Sequence, residues 1–191
     1  MDIQRSIRRS RAAWAAGFFL LVSCFAVAGL AQDTKGRQNL EAIHGRLALA
    51  VRHELVMLPY YSVFDNLTFS IEGVDGVVLA GQVVRPSLKQ DAENVTRGIE
   101  GAGKVVNNIE VLPLSPNDDL IRRAAFRAIY SQQGLDRYAM SAVPSIHIIV
   151  KNGNITLEGV AVNQTDKDLA GITAKQVSAF SVTNNLRLES K

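Results

Sequence analysis

The sequence predicts an α+β protein built from two tandem αββαβ domains, each a small three-stranded mixed sheet with two helices packed on it. Internal repetition is the first reason. The segment 77–83 (VVLAGQV) is echoed 78 residues later by 155–161 (ITLEGVA). The segment 105–111 (VVNNIEV) is echoed 77 residues later by 182–188 (VTNNLRL). Self-similarity at a fixed spacing indicates that each copy builds the same unit. The other reason is a regular succession of helical and strand periodicities within each copy.

The first copy opens with a predicted helix that ends at Pro59. Apolar residues recur at spacings of three and four, which places them on one stripe of a helix. Asn39 is a suitable N-cap, and proline cannot continue a helix. The stripe comprises Leu40, Ile43, Leu47, Val51, Leu55 and Leu58.

Strand and turn signals follow in the order of a hairpin. Residues 67–72 alternate apolar and polar side chains, which is the period of a half-buried strand. Asp75-Gly76 supplies turn chemistry before a second strand over 77–84, because glycine tolerates a positive φ. Pro86 then begins a second helix that ends before Gly101, and a last strand over 105–112 completes the unit.

The second copy repeats this order of elements. Asp118 and Asp119 suit a helix N-terminus, because a carboxylate there offsets the positive end of the helix dipole. Asn152-Gly153 is among the strongest short hairpin signals. The predicted helical stripe comprises Leu120, Ile121, Ala124, Ala125, Ala128 and Ile129, and the later helix buries Leu169, Ile172 and Val177. The remaining elements are strands over 146–150 and 155–162, a helix over 165–176 and a strand over 182–188.

These elements divide the chain into five predicted segments. They are an export signal over 1–31, a flexible lead over 32–39, a first domain over 40–113, a linker over 114–117 and a second domain over 118–191. A linker this short, with a proline in it, restrains the two domains to a narrow range of orientations. A domain of roughly 75 residues buries only about 60% of its surface. We therefore expect the two domains to support each other.

Residues 1–31 have the composition of an export signal. Four arginines at the start (Arg5, Arg8, Arg9 and Arg11) precede an uncharged run from Ala12 to Ala31 that ends in small residues. The run is followed by the polar Gln32-Asp33. The protein is therefore expected to leave the cytoplasm.

Three fates of the signal remain open. Cleavage after Ala31 ranks first. Lipidation ranks second, because Leu21-Val22-Ser23-Cys24 fits the lipobox pattern, in which the cysteine becomes the acylated first residue. Retention as an anchor ranks third, because twenty uncharged residues are just long enough to span a bilayer. Since Cys24 is the only cysteine, cleavage would leave a protein that depends on packing without a disulfide.

The charge distribution argues against nucleic acid as a partner. The formal net charge is +3, and four arginines against Asp2 within residues 1–31 account for all of it. The remainder of the chain is neutral. Nucleic-acid binding normally needs a broad positive field, which this remainder lacks.

The duplicated motifs resemble those of the BON domain family. This chain, which is expected to be exported, has two predicted αββαβ units. Each contains a strand similar to G-x-V-x-L-x-G and ends in V-x-N-x-[IL]-x-[VL]. The motif residues are Asp75-Gly76-Val77 through Gly81, Asn152-Gly153 through Gly159, Val105-x-Asn107 and Val182-x-Asn184. The resemblance covers residues 40–112 and 118–189. The family's Gly-Val before the last strand is replaced here by Gly101-Ala102 and by Ser178-Ala179, so the second copy departs further from the pattern.

The resemblance implies a place and a partner class. Members are periplasmic or envelope proteins, and some are dual-domain lipoproteins of the outer membrane. They are thought to contact phospholipid membranes and to help preserve envelope integrity. The implied partners are therefore an anionic phospholipid surface or other envelope proteins, with no cofactor and no small-molecule substrate. In the periplasm, the protein would be free or tethered to a membrane through Cys24.

The helix that opens the second copy carries the candidate lipid-binding residues. Arg123, Arg127 and Tyr130 lie at i, i+4 and i+7, with Arg122 and Phe126 alongside. Arginine is attracted to anionic headgroups and tyrosine prefers the membrane interface. In the alternative interpretation, which we favour at this stage, the arginines pair with Asp118, Asp119 or the first domain, and Phe126 is part of the core.

A second aromatic cluster, Tyr60, Tyr61 and Phe64, is expected to cover the mouth of the first domain's core. The alternative is an exposed interaction patch. Periplasmic protein binding through this cluster and through exposed strand edges is the alternative to lipid association.

Two pairs of repeated polar or small residues have structural interpretations. Gly81 and Gly159 lie inside strands, where glycine marks a bulge or the close approach of another element, and a closely packed helix is expected there. Asn107 and Asn184 share a face with apolar neighbours, so each must be hydrogen-bonded. We expect each amide to tie down a turn or a helix end.

Catalysis is not expected. His44, His53 and His147 are scattered, and the spacing of nine residues between the first two is too long for a shared metal on one helix. Gly101-Ala102-Gly103-Lys104 lacks the spacing of a phosphate-binding loop. The protein is therefore predicted not to be an enzyme, and no catalytic or metal-binding residue is assigned.

Overall fold

A computed structural model describes the backbone of residues 15–141 and 143–189, and the side chains from residue 36 onward within those ranges. The described residues divide into two compact units, one that ends at Gly45 and one that begins at Arg46. The basic start of the predicted export signal and the side chain of Cys24 lie outside the described residues. No helix in the part of the chain that is described is long and apolar enough to cross a membrane.

Helix α1 spans Ala15–Val56 and is longer than the sequence predicts. It passes through Asn39, so the predicted N-cap is wrong there, and residues 32–39, expected as a flexible lead, are helical. The stretch lacks proline, and a single glycine at 36 costs only about 1 kcal/mol in a helix, so nothing local stops it. The helix ends before Pro59, as expected.

The first module combines the end of α1 with a small mixed sheet and a second helix. Its elements are β1 (Asn66–Glu72), β2 (Gly76–Val83), α2 (Pro86–Arg97), β3 (Val105–Asn107) and β4 (Glu110–Val111). The central strand β2 pairs antiparallel with β1 and parallel with both β3 and β4. The predicted last strand is therefore present but divided into two short pieces.

The second module repeats this topology. Its elements are α3 (Pro116–Tyr130), a 3-10 helix (Asp136–Met140), β5 (Ile146–Lys151), β6 (Asn154–Ala161), α4 (Gln164–Ala174), β7 (Ser181–Asn184) and β8 (Arg187–Leu188). The strand β6 is central, antiparallel to β5 and parallel to β7 and β8. The predicted α+β class with two duplicated mixed sheets is confirmed.

Each module has its own hydrophobic core between its helices and its sheet. In the first, the predicted α1 stripe is buried at Leu47, Val51, Leu55 and Leu58, which pack on Val77, Leu79 and Val83 of β2. In the second, α3 contributes Ile121, Ala125 and Ile129, which pack on Ile155 and Leu157 of β6. Three residues predicted to be buried are exposed: Leu120, Ile172 and Ile43, which lies one turn before Leu47, the first buried side chain of α1 among those described.

Gly81 and Gly159 mark the close approach of a neighbouring strand. Their φ angles are +112° and +106°. A Cβ atom would overlap the carbonyl oxygen of Asn66 at Gly81 and of Ser145 at Gly159. The element that packs closely is therefore the backbone that enters the adjacent strand, rather than the helix that the sequence suggested.

Asn107 and Asn184 have the same bonds in both copies. Asn107 Nδ2 donates to the Lys89 carbonyl of α2 at 2.9 Å, and its Oδ1 accepts from the Ile109 amide at 3.1 Å. Asn184 Nδ2 donates to the Lys167 carbonyl of α4 at 2.7 Å, and its Oδ1 accepts from the Leu186 amide at 3.2 Å. The expectation that each amide holds a turn and a helix is confirmed, and these bonds explain why each last strand is interrupted.

The loop over 62–65 joins the two modules. Val63 is 7% exposed and belongs to the core of the second module, and its carbonyl accepts from the Ile148 amide of β5 at 2.8 Å. The buried Asp65 fixes this loop, because its carboxylate accepts from the amides of Ser62 at 3.0 Å and Val84 at 2.7 Å. The two modules therefore share a small interlock, although their main cores are separate.

Candidate functional site

Helix α3 is well defined by its local sequence. Ser115 is its N-cap and accepts a hydrogen bond from the Asp118 amide at 3.2 Å, and Pro116 occupies the first turn. Asp118 and Asp119 place negative charge at the positive end of the helix dipole. One stripe of α3 is buried on the sheet, and the opposite flank is exposed to solvent.

Arg122 and Tyr130 do not lie on that flank, which corrects the predicted lipid-binding set. Arg122 is 4% exposed, donates to the Val150 carbonyl at 2.8 Å and pairs with Asp119 at 2.5 Å. The Tyr130 hydroxyl donates to the Ile146 carbonyl at 2.5 Å, and burial raises the pKa of this phenol. Both side chains are buried along the outer edge of β5, Arg122 beside Asp119 and Tyr130 beside Phe126.

Arg123, Phe126 and Arg127 do remain on the surface. Phe126 is exposed at the margin, with its ring centroid 6.1 Å from that of Phe64 and 4.9 Å from that of Tyr130. Neither Arg123 nor Arg127 has an ion-pair partner among the described residues. The favoured alternative, in which the arginines pair with nearby acids and Phe126 is core, therefore holds for Arg122 only.

The loop after α1 extends this surface with further aromatic and cationic groups. Tyr60 is 69% exposed, has a φ of 69°, and lies under the guanidinium of Arg85, with 4.7 Å from Cζ to the ring centroid. A shallow cavity of about 490 Å³ connects Tyr60, Phe64 and Arg85 to Arg123. We call Tyr60, Phe64, Arg85, Arg123, Phe126 and Arg127 together the arginine–aromatic surface.

The arginine–aromatic surface was only partly predictable. Tyr60 and Phe64 were noticed as a cluster, but they were expected to cover the core of the first module, whereas Phe64 packs against the core of the second. The sequence around Arg85 carries no signal at all, because its role depends on how the end of β2 meets the loop.

His147 lies at the contact between the two modules. It is 8% exposed, its ring stacks on Tyr61 with 5.7 Å between centroids, and its Nδ1 has no hydrogen-bond partner among the residues that the structure describes. Burial lowers the pKa of His147, although backbone carbonyls and the carboxylates of Asp65 and Glu158 partly offset this effect. Burial also raises the pKa of Tyr61 to about 12, so both stacked rings are neutral at pH 7.

This arrangement predicts a loss of stability in mild acid. Because the folded protein disfavours protonated His147, the unfolded chain binds protons more readily. The stabilisation by neutral His147 is complete above the usual histidine pKa of about 6.5 and is lost as the pH falls below it. We expect thermal melting between pH 7.5 and 5 to show a smaller decline in His147→Gln than in the wild type, whereas the exposed His53→Gln should decline like the wild type. Equal declines in all three proteins would contradict this assignment.

Groupings typical of metal sites do not occur in the described part of the chain. No cluster of three or more histidine, cysteine, aspartate or glutamate side chains there could hold a metal ion. The three histidines lie at separate places, with His44 and His53 in α1 and His147 in β5.

The chain was compared with curated proteins and with solved structures. None of the curated proteins compared with the chain matches it. A solved structure of the C-terminal domain of CdsD, a structural protein of the type III secretion system of Chlamydia trachomatis, is 12% identical, covers 75% of this chain and 98% of its own, and has a TM-score of 0.27. A second CdsD structure is 12% identical, covers 75% and 92%, and has a TM-score of 0.28.

The family comparison covers most of the chain. The sequence model of the BON domain matches residues 47–113 and again residues 117–190. These two segments contain the duplicated strands, the paired glycines and the paired asparagines described above. The chain therefore belongs to the BON domain family and carries two tandem copies of the domain.

Proposed function

We propose that this protein is a noncatalytic, exported envelope protein that associates with anionic phospholipid through the arginine–aromatic surface and supports envelope integrity. BON domains are associated with periplasmic and envelope proteins and are generally noncatalytic binding modules. The observation that carries the proposal is one cavity between the modules that is lined by Arg85, Arg123, Tyr60 and Phe64, with the Phe126 ring against Phe64. Asp119 also lines this cavity, where it is paired with Arg122.

The chemistry of this surface suits a lipid headgroup layer. Each arginine near an anionic membrane contributes about 1 kcal/mol, so three of them contribute about 3 kcal/mol. Exposed tyrosine and phenylalanine rings favour the interface between headgroups and acyl chains. Because the attraction is largely electrostatic, binding should weaken as salt is added.

Charge reversal on α3 tests the proposal. In flotation with anionic and neutral vesicles, the wild type is expected to bind anionic vesicles, and Arg123→Glu with Arg127→Glu is expected to reduce binding at least about tenfold, because two attractions become repulsions. The matched control is Lys104→Glu with Lys175→Glu, which reverses the same number of exposed charges elsewhere.

Two outcomes would contradict the lipid site. Equal losses in the two double variants would mean that general charge, rather than this surface, attracts the protein. Absence of binding to any vesicle would remove the mechanism and favour the alternative, a periplasmic protein-binding or chaperone-like module without lipid contact.

Attachment to a membrane would strengthen a weak surface site. We propose cleavage after Ala31 as the first possibility and acylation at Cys24 as the second. An acyl chain and a cationic surface together hold a protein on a membrane far better than either does separately. The intact mass of the exported protein distinguishes a start at Gln32 from an acylated start at Cys24.

A further inference from the structure

Along the outer edge of β5, the peptide groups that point away from β6 are hydrogen-bonded at three alternate residues. Tyr130 donates to the Ile146 carbonyl at 2.5 Å, the Val63 carbonyl accepts from the Ile148 amide at 2.8 Å, and Arg122 donates to the Val150 carbonyl at 2.8 Å. In an antiparallel pair, alternate residues direct both peptide groups away from the partner strand. These contacts therefore occupy the edge that β5 would otherwise present to other chains.

The equivalent edge of β1 lacks this cover. The pairing of Leu67 with Gly81 corresponds to that of Ile146 with Gly159. The peptide N–H and C=O groups of Leu67, Phe69 and Ile71 therefore point away from β2, toward the outer edge of the sheet. The Leu67 amide donates to the Tyr61 hydroxyl at a long 3.4 Å. No group among the described residues bonds to the outward peptide groups of Phe69 and Ile71.

The difference follows from two positions on the opening helices. The α3 core residues Ile121, Ala125 and Ile129 each lie 74 positions after Leu47, Val51 and Leu55 of α1. On the same correspondence, Ala48 stands where α3 has Arg122, and Val56 stands where it has Tyr130. Neither alanine nor valine has a side-chain donor, so α1 cannot cover β1 as α3 covers β5.

A cavity of about 530 Å³ lies beside this uncovered edge. The peptide edge at Leu67 and Phe69 forms one wall, and His147 and Glu158 on the outer face of the second module's sheet form the opposite wall. The volume falls within the range of sites for small ligands and short segments. Because the second module stands opposite, the space is a cleft for one strand rather than an open edge for a folded sheet.

The charges in the cleft favour an acidic occupant. Arg52 and Arg187 both line it, and neither has an ion-pair partner among the described residues. The carboxylate of Glu158 already accepts a hydrogen bond from Asn185 at 2.8 Å. His147 adds no charge, but it offers a nine-tenths buried imidazole whose Nδ1 has no hydrogen-bond partner among the described residues.

We propose that the cleft beside β1 binds an extended acidic polypeptide segment by adding it as a strand to the first module's sheet. Backbone hydrogen bonds to Phe69 in the cleft, and to Ile71 where β1 continues beyond it, would supply the pairing. Arg52 and Arg187 would select acidic side chains. The second module gives the internal precedent, because a loop of the first module already bonds to the equivalent edge. This site is separate from the arginine–aromatic surface and does not depend on lipid binding.

A fluorescent peptide of alternating threonine and valine with two glutamates is a suitable probe for the full chain. Anisotropy should show saturable binding, and amide hydrogen exchange of Phe69 and Ile71 should slow at least about tenfold in the complex, because both amides gain a partner. The same peptide N-methylated at alternate residues cannot pair on one side and should bind at least about tenfold more weakly. Replacing its glutamates by lysines should also weaken binding.

Grafting the cover from α3 onto α1 gives the decisive variant. Ala48→Arg with Val56→Tyr should occupy the β1 edge, abolish peptide binding and leave vesicle flotation unchanged. Conversely, Arg123→Glu should reduce flotation without affecting the peptide. If the grafted protein does not fold, the exposed pair Arg52→Glu and Arg187→Glu serves instead, and it should reverse the preference from the acidic to the lysine peptide.

Three results would overturn the proposal. The first is slow exchange of Phe69 and Ile71 amides in the free, dilute protein, which would mean that the edge is already covered. The second is protection that rises with protein concentration in the absence of peptide, which would identify a second copy as the occupant. The third is equal binding of the plain and N-methylated peptides.

Discussion

Replacing Gly159 with alanine is expected to destabilise the second module by about 3 kcal/mol or more, a substantial part of the stability of a small domain. The backbone at Gly159 has a φ of +106°, which a side chain disfavours, and a Cβ there would overlap the Ser145 carbonyl oxygen. Gly81→Ala should act in the same way on the first module, where φ is +112° and the Asn66 carbonyl is the obstacle. Urea unfolding followed by circular dichroism measures both effects.

Gly45→Ala is the matched control for these two variants. Gly45 lies in α1, and nothing lies within 4 Å of a Cβ built on it. Alanine at such a helical position should stabilise by about 0.5 to 1 kcal/mol. If Gly159→Ala and Gly45→Ala shifted the unfolding midpoint equally, the close approach of the strands at the paired glycines would be refuted.

Asp118→Ala is expected to destabilise the second module by about 2 to 4 kcal/mol, because the buried Gly153 amide and the partly buried Asn152 amide would lose a charged acceptor. Asp118 is 1% exposed, and its carboxylate accepts from the Asn152 amide at 2.9 Å and the Gly153 amide at 2.7 Å. These bonds hold the β5–β6 hairpin against the start of α3. Chemical unfolding and the hydrogen exchange of the two amides both report on the contact.

Ser115→Ala provides the comparison for Asp118→Ala. It removes a bond to the same turn of α3, but only an N-cap, and should cost about 1 kcal/mol. The exchange of the Asn152 and Gly153 amides should accelerate in Asp118→Ala and stay unchanged in Ser115→Ala. Equal acceleration in both would show that the carboxylate acts on the helix rather than on the hairpin.

The local signals of the sequence predict the repeated modules well. The alternation in β1 and the Asn152-Gly153 turn act over a few residues, and the structure has both where the pattern places them. The paired asparagines were predictable because their apolar neighbours require each amide to be hydrogen-bonded, although the bonds to Lys89 and Lys167 span 18 and 17 residues. Asn39 failed as a helix start because a suitable N-cap acts only where the preceding backbone leaves the helical conformation. The residues before Asn39 are helical here.

The candidate site was less predictable because it depends on contacts between elements. A helical stripe shows which side of α3 meets its sheet, but not which flank runs along the edge of β5. Arg122 and Tyr130 are buried by that edge, and their polar atoms are satisfied by carbonyls that no pattern in α3 reveals. The contribution of Val63 to the other module's core was hidden for the same reason, since it is set by contacts distant in sequence.

The interlock at Val63 means that duplication has been followed by specialisation. The loop over 62–65 of the first module completes the core of the second, whereas the outer edge of β1 in the first module has no equivalent cover. Because the first module is synthesised before the second, the loop over 62–65 is already present when the second module folds. The two copies are therefore not equivalent, since the first supplies Val63 and the second receives it.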